Sequence, residues 1–167
     1  MPTLIVADAG PLIALAVGGV LPVCLDMLGG LWVPEAVLDE CTSDISAPGA
    51  VTLQGLHAAR RFQTVPSASL LPLDASFAQG LGGGEIAVLS YAAQNGLLAL
   101  IDERRARRAA DRLGVPVIGS GTVLAQLKQQ GFIGSVKPVL TAWRQHRYFV
   151  AEPILAGILR LADEANN

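Results

Sequence analysis

With 167 residues the chain has the length of one domain, enough to bury most of its apolar surface without crosslinks. Apolar residues make up 51% of it, mean hydropathy is +0.47, and a net charge of −2 with a pI near 5.6 excludes an indiscriminate nucleic-acid sponge. Its two cysteines, Cys24 and Cys41, have no metal-ligand spacing and read as small apolar side chains in a reducing, cytoplasmic compartment.

Residues 3–7 (TLIVA) are a short, partly β-branched apolar run that predicts a buried strand ending at Asp8. Gly10-Pro11 turns the chain, and proline at a first helical position opens an apolar helix. The longest apolar stretch, 12–25, is broken by Gly18, Gly19 and Pro22. It falls short of the roughly 20 residues that cross a bilayer and lacks the basic flank of a signal peptide. No membrane association is expected, and the excess hydropathy points to an oligomer interface.

A second short helix is expected at 21–28, a strand at 31–33, and a helix from Pro34 through Cys41. Residues 43–50 read as a loop, 51–61 as a helix, 62–65 as a strand and 66–81 as mostly irregular chain. Three glycines, 82–84, precede a helix from Glu85 to about Gln94, closed by Asn95-Gly96. The run 97–101 predicts a strand ending at Asp102, followed by a basic helix at 104–113 and a strand at 115–118. Helices after Gly119-Ser120, at 135–147 and at 152–163 complete the chain. Alternating strands and helices predict an α/β fold, a central, mainly parallel twisted sheet between helical layers. Strand order is not readable from this pattern. The whole of 1–167 reads as one domain with extra C-terminal helices at about 135–163.

Charge is unevenly placed. Residues 1–59 hold six acids (Asp8, Asp26, Glu35, Asp39, Glu40, Asp44) and no Lys or Arg, whereas five of the twelve bases fall within 104–112. In open α/β sheets, ligands bind beyond the carboxyl ends of the strands, where Asp8 and Asp102 stand. Each also reads as a cap for the next helix or turn. Glu40 shares the apolar stripe of Val37, Ala36 and Cys41, so it is expected to point inward, unless fraying lets it reach water. Glu85 opens its helix, where the dipole favours negative charge whatever the function. Converging carboxylates repel one another unless a cation is bound, and oxygen-only ligands suit Mg²⁺ or Mn²⁺.

Taken in order, VADAGPLIAL, WVPEAVLDEC, LGGGEIAVLSYA and LLALIDERRARRAADRLGVPVIGSGTVL resemble the PIN domain superfamily. More closely, they resemble prokaryotic PIN-like proteins related to VapC-type toxins. The resemblance implies a three-layer α/β/α fold and a metal-dependent ribonuclease that leaves 5′-phosphate and 3′-hydroxyl ends. It implies one or two Mg²⁺ or Mn²⁺ ions on an acidic quartet, matched here by Asp8, Glu40, Glu85 and Asp102, with Glu103 as a supplementary ligand. It also implies a homodimer and, for a toxin, a small antitoxin partner.

One position departs from the family. Many members carry Ser or Thr after the first aspartate, and here it is Ala9; Ser120 resembles another hydroxyl position of the family. Two readings therefore stay open, an active ribonuclease and a PIN-fold protein that binds RNA or a partner without cutting.

Arg104, Arg105 and Arg108 follow the metal acids closely and are candidate grips on the RNA backbone, with Ser120 beside them. The alternative is a solvated helix face with weak acidic partners. A dinucleotide-binding protein would place G-x-G-x-x-G after the first strand, where this chain has Asp-Ala-Gly-Pro. A receiver-like domain would need a lysine at a late strand end. His57 and His146 stand in ordinary helical surroundings and offer no Ser–His–Asp chemistry.

Overall fold

The computed structural model of the chain describes residues 4–148 and 150–165. In chain order the elements are β1 (Leu4–Ala7), α1 (Ala9–Val17), α2 (Leu21–Met27), β2 (Gly30–Pro34), α3 (Glu35–Thr42), α4 (Ala50–Ala58) and β3 (Gln63–Val65). A 3-10 turn (Ser67–Ser69), α5 (Ala75–Ala78), α6 (Gly83–Asn95), β4 (Leu98–Leu100), α7 (Arg104–Leu113) and β5 (Val117–Ile118) follow. Then come α8 (Ser120–Gln129), α9 (Lys137–Gln145) and α10 (Glu152–Leu161).

The five strands form one sheet in the order β3-β2-β1-β4-β5, and every pairing is parallel. The helices flank it as a three-layer α/β/α fold. Such a sheet is buried on both faces, so its strands are continuous apolar runs rather than alternating ones. β1 (LIVA) fits, with Ile5, Val6 and Ala7 buried. Thr3, expected in this strand, lies outside the described residues.

The expected elements are present with shifted ends: β2 and α6 run longer than expected, and several others are shorter. β4 and β5 lose their flanking residues, because Leu97 and Val115 sit on the turns that leave α6 and α7 through Gly96 and Gly114 in the left-handed conformation. The expectation of irregular chain over 66–81 is corrected at two places, the 3-10 turn and α5. Asp74 caps α5, accepting from Ser76 N–H (2.9 Å) and Oγ (2.7 Å).

Among the described residues, no single helix is long and apolar enough to cross a membrane. The pair α1 and α2 has the composition but bends by 114° and carries Leu12, Leu15, Leu21 and Cys24 in the core. Burial pushes the thiols of Cys24 and Cys41 up to about 12, in line with a packing role.

The C-terminal helices are fastened at three points. The Trp143 indole N–H donates to Ala14 O (2.7 Å), and α9 crosses α1 at Gly18, where a Cβ would lie 2.5 Å from Val139 Cγ1. α10 meets α8 at Gly121, whose missing Cβ leaves room for Ile158. Past α10, the buried Glu164 accepts from Val136 N–H (2.8 Å) and Ser135 Oγ (2.7 Å) and pairs with Lys128 (3.0 Å). Its carboxylate thus satisfies the N-terminus of α9.

Candidate active site

The chain runs β1 to β2 to β3 in one direction, then returns past β1 to β4 and β5. Strand order therefore reverses between β1 and β4, the place where open α/β sheets form a ligand crevice. Asp8 and Asp102 both stand there. Ala7 is in register with Leu100, and the Asp8 N–H donates to Leu100 O (3.0 Å), so the two aspartates leave the same sheet end side by side.

Asp8 is 6% exposed. Its carboxyl is pushed up from 3.8 to about 6, first by burial, with the Ala9 N–H pulling back and the negative charges of Glu85, Glu40 and Asp102 pushing further. It precedes α1 without making a side-chain cap, so capping does not explain its position.

Glu40 and Glu85 approach from α3 and α6, two helices that pack together. Gly84 is the point of closest approach. A Cβ there would lie 3.1 Å from Glu40 Oε2, 3.2 Å from Val37 Cγ2 and 3.7 Å from Asp8 Oδ1. The glycine run that reads as a loose helix start is thus a gap through which two carboxylates meet. The expected inward orientation of Glu40 is corrected: the residue is exposed, and its carboxylate reaches the cleft past Gly84. Val37, Leu38 and Cys41 are the buried positions of α3, which leaves Glu40 at the margin. Glu85 accepts from the Gly82 N–H (2.7 Å), closing the first turn of α6 while lining the same cleft. This cleft, of about 420 Å³, is bounded by Asp8, Glu40, Glu85, Glu103 and Arg105.

Asp102 is held more firmly. It accepts from Ser120 N–H (2.8 Å) and Ser120 Oγ (2.6 Å), and from the Tyr148 hydroxyl (2.9 Å). It therefore caps α8, not the helix that follows it in sequence. Ser120, expected at the RNA, is 4% exposed and donates its hydroxyl to a carboxylate, so here it orients Asp102. Burial and the adjacent Asp102 push the Tyr148 phenol well above its ordinary value, keeping it a donor. A second, larger cleft of about 650 Å³ opens on this side and shares Asp8, Gly10 and Glu103 with the first.

The arginines divide by their place on α7. Ala106, Ala109 and Ala110 form its buried stripe. Arg104 and Arg108 face away from that stripe, are exposed, and line neither cleft. Arg105 flanks it on one side and donates to Gly80 O (2.7 Å) at the acidic cleft. Arg112 lies on that flank too, over the Phe77 ring at 5.4 Å. Arg107 flanks the other side, donating to Ile101 O (3.2 Å), and a Cβ on Gly119 would lie 3.0 Å from its Nη1 and 3.1 Å from Asp102 Oδ1. Arg107 and Tyr148 are the functional candidates that sequence reasoning missed. The alanine stripe marks Arg107; nothing local marks Tyr148, 46 residues from its partner.

As donors, these carboxylates suit a hard divalent cation, and the raised pKa of Asp8 reports first its burial and then the negative charge of Glu85, Glu40 and Asp102, which a cation would relieve. Among the described residues no three His, Cys, Asp or Glu side chains stand close enough to form a ready-made ion cage. The donor set fits in its chemistry, with oxygen ligands only and a surplus of negative charge.

A parallel α/β sheet that gathers acids where its strand order reverses is the arrangement of a domain built to hold a ligand or cation at that crevice. The family model described as PIN domain matches residues 4–164, and the chain belongs to that family. PIN domains are generally nucleases and typically bind divalent metals. A comparison with curated proteins returned no match.

Proposed function

We propose that this protein is a Mg²⁺- or Mn²⁺-dependent endoribonuclease whose metal is held by Asp8, Glu40, Glu85 and Asp102, with Glu103 as a supplementary ligand. The observation that carries this reading is Asp8, buried at the switch point with no cap to make and three carboxylates in its field. A buried carboxylate is costly, and the three carboxylates around this one add to the cost. Bound metal would supply an activated water and offset charge on the scissile phosphate. Ser120 and Tyr148 hold Asp102 in one orientation, as outer partners do for metal-binding carboxylates. Arg105 and Arg107 stand beside the acids to grip the RNA backbone, and Arg104 and Arg108 extend the positive charge along α7.

Ala9 supports the second reading, a PIN-fold protein that binds RNA or a partner without cutting. The Ser120 hydroxyl is committed to Asp102 and does not replace the one missing at Ala9. A toxin role with an antitoxin, and a homodimer, belong to this proposal as well. High apolar content and the exposed Ile45 and Val51 support a protein partner.

Cleavage of a mixed RNA pool with Mn²⁺ or Mg²⁺ tests the reading, comparing wild type, Asp8→Asn and wild type with EDTA. Metal-dependent cutting by wild type alone is expected. No cutting by folded, metal-binding wild type would sink the enzyme reading in favour of the binding protein.

A further inference from the structure

We propose that the larger cleft, between α8 and α10, is a subsite for one unstacked nucleotide of a single-stranded RNA held at the acidic centre. This rests on the ribonuclease reading and deepens it, since it names the state of the substrate and a determinant of its choice.

The cleft adjoins the acidic one, sharing Asp8, Gly10 and Glu103 with it, so a strand seated at the acids has its neighbouring nucleotide beside it. Its volume of about 650 Å³ falls within the usual range for small-molecule sites, roughly 300–1,000 Å³. Its lining combines two chemistries. Arg107 stands beside Asp102, and Arg147 supplies a second cation. The half-buried Tyr148 and the aliphatic Val150, Ile154 and Leu161 supply apolar wall. A nucleotide combines the same two, an anion joined to a flat, largely apolar ring. Bases of single-stranded RNA are taken up by stacking on aromatic rings and guanidinium planes, whereas a base inside a duplex is not free to enter.

Local structure aims these groups. α9 closes with the Tyr148 N–H donating to Trp143 O (2.8 Å) and the Arg147 N–H to Arg144 O (3.2 Å). This is a Schellman motif, and the accompanying apolar contact is the Tyr148–Trp143 ring pair at 5.4 Å. It puts Arg147 in the left-handed conformation (φ 58°), where glycine is the usual residue. Arg60 after α4 and Asp163 after α10 have the same φ sign, so the conformation alone singles out nothing. It does supply a clean variant, because Arg147→Gly removes the guanidinium and suits the backbone.

The test is binding of a short mixed-sequence single-stranded RNA, followed by fluorescence anisotropy at low salt in EDTA, alongside metal-dependent cleavage. Arg147→Gly is expected to weaken binding about tenfold, the size of one charge-assisted phosphate contact, with an unchanged or slightly raised thermal midpoint. Ile154→Ser, at a position 57% exposed and so safe for folding, is expected to weaken binding about threefold without any change of charge. Arg144→Ala removes the same charge from the exposed side of α9, outside the cleft, and is expected to change binding less than about twofold. A duplex of the same sequence is expected to compete poorly.

If wild type binds and cuts RNA but both cleft variants bind as well as wild type, the subsite is overturned and the ribonuclease reading stands. Equal losses from Arg144→Ala and Arg147→Gly, with none from Ile154→Ser, also overturn it, leaving diffuse charge as the cause. If wild type neither binds nor cuts RNA, both fall together.

Discussion

Asp8→Asn is expected to make the metal-free protein more stable while abolishing its metal-dependent activity. The carboxyl moves from 3.8 to about 6 on folding, and the residue is 6% exposed, so solvent screens little of the effect. A rise of roughly 2 units at about 1.4 kcal/mol each gives roughly 3 kcal/mol of strain in the ionised form. The sign follows from the direction of the shift. A raised carboxyl pKa contributes stability that is fully present below 3.8 and is lost as pH rises through about 6. Wild type in EDTA should therefore weaken between about pH 4 and pH 7, and Asp8→Asn should not share that loss. The asparagine carbonyl can still accept from the Ala9 N–H, and its amide faces carboxylates ready to accept from it. For a chain of this size the gap corresponds to a thermal midpoint higher by roughly 5–10 °C near pH 8. Thermal unfolding by circular dichroism in EDTA from about pH 4 to pH 8 measures it. The reasoning is refuted if the variant is the less stable protein near pH 8, or if the gap does not close toward pH 4.

Tyr148→Phe deletes one of three hydrogen bonds to Asp102 and keeps the ring over Trp143. A bond to a charged, half-buried acceptor contributes about 1–2 kcal/mol, so the midpoint should fall by a few degrees. Cleavage should fall too, by less than in Asp8→Asn, since Ser120 still holds the carboxylate. Glu164→Gln tests the C-terminal anchor. Burial alone would raise that carboxyl, but Ser135, the Val136 N–H and Lys128 together hold it down at about 2, from 4.5. A depressed carboxyl contributes stability above 4.5 that is lost as pH falls through about 2, so the variant should be less stable by about 2–3 kcal/mol near pH 7. Denaturant unfolding should show that gap closing as pH falls toward 2.

Much of the fold was legible because its signals are local. A parallel sheet buried on both faces makes its inner strands short apolar runs, and glycines at 96 and 114 end the helices before two of the strands. The ends were less legible. Leu97 and Val115 are as apolar as strand residues, yet the turns leaving α6 and α7 claim them, and hydropathy does not distinguish a buried turn from a buried strand. Strand order was not written in any segment, because it depends on which edges pair after collapse. The 3-10 turn and α5 were missed for a different reason. They are single turns, too short to show a helical period, and Asp74 capping Ser76 is their main local mark.

The site divides along the same line. Asp8 and Asp102 were readable because a carboxylate after an apolar run is an anomaly that sequence displays. Glu40 was readable as a ligand candidate but not in its orientation, since α3 leaves it at the edge of the buried stripe and only Gly84, forty-odd positions on, opens the way to Asp8. For the arginines, closeness to the acids in sequence does not tell which of them line a cleft. Arg104 and Arg108, four positions apart, share the solvent face. The buried alanines decide which arginines lie beside the sheet, and they select Arg105 and Arg107. Tyr148 lies outside the reach of either method, because the contact that positions it depends on α9 crossing α1 at Gly18 and on Glu164 fastening the chain beyond α10. The C-terminal helices therefore do more than cover the sheet: they carry a hydroxyl to Asp102 and, with it, one wall of the larger cleft.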